Sequence, residues 1–173
     1  MSPRDGSVDG HGTHMASVVA GTCVDNVSYK GVGAGTARGA APRARLAIYK
    51  VCWETLPNIK ICTEMDVLSA FVQAAKDGVD VILAAFGNDE FPSITGSMVS
   101  IYNAMGIGSL QAIAKGIPVI ASAGNCGPEA FTVANTEAWL LTVGSTSIDR
   151  SFPTPIVLGD DTTHLVRVPC LDH

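Results

Sequence analysis

The sequence predicts an α/β fold, a parallel sheet flanked by helices on both faces. Short apolar runs of strand length alternate with stretches of helical periodicity, which argues for strand–helix–strand units and therefore for parallel strands. A capping pattern at Thr63 and Asp66 opens one helical stretch, and an apolar strand follows it directly. Hydrophobic residues make up 47% of the 173 and charged residues 16%, a balance that builds the core of a single globular domain.

The elements follow in order. His11 to Ala20 reads as a helix opening from Gly10, and Ala44 to Val51 as a strand. Between them Gly31-Val32-Gly33-Ala34-Gly35 reads as a flexible loop. It precedes a strand and not a helix, so it lacks the context of a phosphate cradle, and a dinucleotide-binding reading has little else to rest on. Thr63 to Lys76 is expected to be a helix with Leu68, Phe71, Val72 and Ala75 on one face, and Val79 to Phe86 the strand after it. Gly87 to Gly96 has the composition of a surface loop. A helix over Ile107 to Lys115, a buried strand over Ile117 to Ala123 and a further strand over Trp139 to Ser145 complete the series. In such sheets ligands bind beyond the carboxyl ends of the strands, which is where Asn125 falls.

Charge and hydropathy remove several classes of function. Eleven basic residues against 16 acidic give a net charge of -5, with no Lys or Arg cluster to follow a phosphate backbone, so nucleic acid is not expected as a partner. No apolar run approaches the ~18 residues of a membrane-spanning helix, so no membrane partner is expected either. Met1 to Gly10 lacks the apolar core of a secretory signal. Asn26-Val27-Ser28 is a glycosylation sequon. Five cysteines, at 23, 52, 62, 126 and 170, cannot all pair within one chain.

Two short motifs carry the chemistry. In Gly10-His11-Gly12-Thr13-His14-Met15-Ala16-Ser17 an imidazole stands at a glycine-flanked helix start, where a group titrating near neutrality suits a general base. In Ala121-Ser122-Ala123-Gly124-Asn125 a carboxamide follows an apolar strand, where its N–H groups are placed to meet a developing oxyanion. A metal pair of His11 and His14, with Asp9, fits less well, because zinc helices space histidines four apart around a glutamate. No metal or other cofactor is expected.

These motifs resemble those of the subtilisin-like serine proteases, the subtilases. The plant branch in particular is resembled by Ser2-Pro3-Arg4-Asp5, by Gly35 to Pro42, by Ala47 to Trp53, by Asp77 to Val81, by Gly124-Asn125-Cys126-Gly127-Pro128 and by Thr142 to Thr146. The resemblance implies a serine endopeptidase of peptides or proteins, with His11 as general base and Asn125 in the oxyanion hole. It also implies that the strand ends Ala85-Phe86-Gly87 and Ala123-Gly124 pair with substrate backbone. It makes the sheet subtilisin-like but incomplete, since the Asp-Thr-Gly and Gly-Thr-Ser-Met-Ala segments that supply the other triad members are not among the 173 residues. Positions 1–159 are then a partial catalytic domain and 160–173 a tail, inactive alone. Cys52 and Cys62 lie where plant members often carry two cysteines, a disulfide candidate suited to an extracellular protein of the apoplast or cell wall.

Two departures from the family pattern support an alternative, a non-catalytic module that binds peptide or protein without cutting it. Leu83-Ala84-Ala85-Phe86-Gly87 stands where the family usually reads Ser-x-Ser-x-Gly, and Ser109-Leu110-Gln111-Ala112 stands for Ser-Phe-His-Ala.

Overall fold

The computed structural model describes residues 10–56, 59–87, 103–147 and 153–167. The loop expected over Gly87 to Gly96 lies almost wholly outside them.

The chain begins with helix α1, His11–Ala20, which spans the range its sequence predicts. Its last carbonyls need partners, and the segment after the first hairpin supplies them: the amides of Ala40 and Ala41 donate to Val18 and Val19 at 2.8 Å. That hairpin joins β1, Val24–Tyr29, to β2, Val32–Ala37, in antiparallel register with two irregular steps. The glycine run is therefore not a flexible loop: Gly31 lies in the hairpin turn and the rest of the run in β2. Every residue of β2 is exposed, so no burial alternation marks it in sequence, and its backbone pairing with β1 decides the conformation.

A second hairpin pairs β3, Cys52–Leu56, with β4, Ile59–Cys62. Cys52 and Cys62 stand directly opposite each other in this register, with Cα atoms 4.1 Å apart, and are joined by a disulfide. The strand expected over Ala44 to Val51 does not form in the described residues. An apolar run becomes a strand only beside a hydrogen-bonding neighbour, and here Leu46 and Ile48 stay exposed with no ladder partner.

Helix α2, Glu64–Asp77, opens at Thr63, whose Oγ1 accepts from the Asp66 amide at 3.1 Å and donates to its carboxylate at 2.8 Å. It closes at Gly78 in the left-handed conformation. In its last turn Asp77 accepts from Tyr49 and from Gln73, both at 2.7 Å. The Tyr49 bond, then the Gln73 bond, hold the Asp77 carboxyl below its ordinary range, and the same Asp77 bond pushes the Tyr49 phenol up.

The parallel sheet has the order β5-β6-β7, from Ile82–Ala84, Val119–Ser122 and Leu141–Val143. Each strand occupies the centre of its expected range. Helix α3, Ala104–Ile113, starts three residues before its expected position, because Asn103 caps it by accepting from the Gly106 amide at 2.6 Å.

The core lies between α2, α3 and the sheet. Val67 and Phe71 meet Met105 and Ala112 above Ala84, Val119 and Ala121. A Cβ at Gly108 would come within 2.4 Å of the Phe71 ring, so that glycine lets the two helices approach. On the opposite face Leu83 remains 47% exposed, and the described residues form an α/β sandwich in partial form. A last hairpin pairs β8, Pro153–Val157, with β9, Thr163–Arg167, through a turn around Gly159 to Asp161 that spans the expected boundary between domain and tail.

Candidate functional site

Parallel strands deliver their carboxyl ends to one edge. The register sets Ala84 beside Ala121 and Ser122 beside Val143, so the segments leaving β5 and β6 emerge next to each other. The first carries Ala85, Phe86 and Gly87, and the second Ala123, Gly124 and Asn125.

His11 joins this edge from the start of α1. Its side chain is exposed, and its Nε2 lies 3.0 Å from the Ala85 carbonyl. A carbonyl only accepts, so Nε2 carries the proton in this arrangement and donates it. To take a proton from a nucleophile that nitrogen must leave the carbonyl and adopt the other tautomer, with the ring proton on Nδ1.

Gly124 turns the chain out of β6. Its φ of 82° is a conformation that residues with a Cβ rarely adopt, and it brings Asn125 to an exposed position past the strand end. The Gly124 amide donates to Ser122 Oγ at 3.1 Å, while Ala123 donates to the Val143 carbonyl and accepts from the Ala134 amide, each at 2.9 Å. The segment leaving β6 is held by these bonds, while Asn125 itself is exposed. His11 thus meets the end of β5, and Asn125 follows the end of the neighbouring β6.

Sequence reasoning missed Asn135. Its Nδ2 donates to the Phe86 carbonyl at 3.0 Å and to the Ser122 carbonyl at 2.8 Å, which ties the end of β5 to the end of β6. Its own carbonyl accepts from Oγ1 of Thr142, the middle residue of β7. The preceding Ala134 and the Asn135 amide stand 3.3 Å from where a Cβ on Gly87 would lie, so this loop closes over the glycine ends of the site. An asparagine within an irregular stretch carries no periodic signal, and only its two carbonyl partners reveal the role.

The Ser-x-Ser departure is visible as well. Leu83 projects from the exposed side of β5, whereas Ala85 serves the site through its carbonyl, which any residue supplies. Ser109 is fully buried, donating to the Gly106 carbonyl and accepting from Trp139 Nε1 at 2.9 Å, so it braces α3 against the approach to β7.

His14 is exposed on α1, and its carbonyl accepts from Ser17 Oγ. Among the described residues no group of three or more His, Cys, Asp or Glu side chains is assembled to hold a metal, and Asp9 lies outside them. No helix among them is long and apolar enough to cross a membrane.

The chain matches the model of the Subtilase family over residues 2–155. It is 51% identical over 165 residues to the subtilisin-like protease SBT3.17 of Arabidopsis thaliana, covering 95% of this chain and 21% of that protein. To subtilisin-like protease SBT3.11 of the same plant it is 45% identical over 159 residues, covering 92% and 20%. Among solved structures it is similar in fold to an S41 psychrophilic protease, with a TM-score of 0.50 and 24% identity, covering 91% of this chain and 43% of that one. The chain spans about a fifth of the length of the curated relatives it matches.

Proposed function

The chain belongs to the subtilase family, and from that premise we propose that it is the central part of a serine endopeptidase catalytic domain that cleaves peptide bonds of peptides or proteins. The observation that carries this reading is the edge itself, where a helix-start imidazole and a strand-end carboxamide border the ends of adjacent parallel strands. His11 takes the proton of a serine hydroxyl through Nε2 and returns it to the leaving amine. Asn125 donates a hydrogen bond to the oxygen that becomes negative in the tetrahedral intermediate, a bond that strengthens only as charge develops. The aspartate that orients the imidazole and the serine that attacks are supplied by segments beyond these 173 residues, so the chain alone is inactive. The Cys52–Cys62 disulfide favours an extracellular location.

One observation favours a second reading, binding of peptide without cleavage: His11 Nε2 is already engaged with the Ala85 carbonyl. Casein hydrolysis by the full-length protein separates the two. Asn125→Ala should lower kcat roughly 10² to 10³-fold with KM little changed, a figure that is subtilisin's own and is carried over to Asn125. An unaltered kcat, or no hydrolysis by the unmutated protein, contradicts the protease reading.

A further inference from the structure

We propose that Asn26 is an N-glycosylation site, its glycan standing on the β1–β2 hairpin and covering apolar side chains that the fold leaves in water. Asn26-Val27-Ser28 is the single Asn-x-Ser/Thr sequence among six asparagines, and neither Asn26 nor Ser28 is buried. Val27, between them, is half-buried and is not proline.

The backbone presents the asparagine. Asn26 has φ 58°, the left-handed conformation, and lies in the irregular step between the Val24 and Val27 pairings, so it falls outside the regular ladder. Asp25 before it is tied across the hairpin by a 2.7 Å bond from Thr36 Oγ1, and Val27 pairs with Gly35 after it. The bulge is thus anchored on both sides. A glycan of several sugars demands a surface position with space around it, and a hairpin whose second strand is exposed at every residue provides one.

The same hairpin exposes Val24, Tyr29 and Val32, with Tyr29 at 75% of its full accessibility. Two-stranded hairpins are marginal in water on their own, and apolar groups on such an edge invite association. A hydrated sugar chain at Asn26 sits beside these residues and keeps other chains off them.

The reaction forms a bond from Asn26 Nδ2 to C1 of an oligosaccharide carried on a polyprenyl diphosphate. The bond from C1 to the diphosphate oxygen breaks, its electron pair leaves with the polyprenyl diphosphate, and one amide proton passes to a base of the transferase. The proposal rests on the extracellular reading, since the donor is met in the secretory lumen.

The test produces the full-length protein in plant cells behind a supplied secretory leader, with a separate sequon in a C-terminal tag as a control for lumenal entry. The expected result is a glycopeptide containing Asn26, converted to aspartate at position 26 on enzymatic release. It should be lost in Asn26→Gln and Ser28→Ala and retained in Ser28→Thr. An unmodified Asn26 in protein whose tag carries glycan overturns the proposal. Because the leader is supplied, that outcome leaves the extracellular reading standing; fractionation of plant tissue that makes the protein from its natural gene tests it separately.

Discussion

His11 Nε2 stands 3.0 Å from the Ala85 carbonyl, so the first residue of α1 and the end of β5 meet although 74 positions separate them. The bond is exposed to water, and an exposed hydrogen bond adds little net stability because water replaces either partner. His11→Ala is therefore expected to change stability by roughly 1 kcal/mol or less. Thermal unfolding of the full-length protein checks this, and a fall of many degrees would mean that His11 is structural.

Asn135 is expected to behave in the opposite way. Its amide satisfies two carbonyls at half-buried positions, Phe86 and Ser122, and truncation leaves both without that donor. Asn135→Ala should cost about 1–3 kcal/mol. Asn135→Asp should do no better, since a carboxylate cannot donate to either oxygen. Chemical unfolding of the two variants measures it, and unfolding midpoints within error of the unmutated protein would show that the clamp is dispensable.

The Tyr49–Asp77 pair predicts a dependence on pH. The folded-state pKa of Asp77 is lowered, chiefly by the Tyr49 bond, so its contribution is present above the ordinary carboxylate pKa and is lost as pH falls through the folded value. Tyr49 is raised, chiefly by the same bond, so its contribution is present below the ordinary phenol pKa and lost as pH rises through the folded value. The difference in stability between the unmutated protein and Tyr49→Phe should be steady near neutrality and shrink at both extremes. Equilibrium unfolding from acid to alkaline pH tests this; a difference that stays constant through the acid range would contradict it.

How far the structure was legible in the sequence depends on where each element gets its support. Helix α1 begins at a glycine before a regular run, and α2 carries its own cap at Thr63, so both can be read from local pattern. Strands β5 and β6 are apolar because helices cover them, and they lie inside their expected ranges. Hairpin β1–β2 was illegible because exposed strands have no hydrophobic period. Ala44 to Val51 has that period but lacks a neighbour among the described residues. The first turn of α3 was hidden by Gly106 and Gly108, of which the second is kept small by the Phe71 ring. In the site, His11 and Asn125 were found through their motifs, while Asn135 acts through contacts 49 and 13 residues away.

The most direct measurement of the central claim is labelling by a fluorophosphonate probe, which reacts only with a serine activated by a base. The full-length protein should label at one serine outside residues 1–173, and His11→Ala, folded as judged by its unfolding curve, should lose that labelling. Labelling that persists in His11→Ala, or labelling of a serine within these 173 residues, would contradict the assignment of His11 as the base of a triad completed elsewhere.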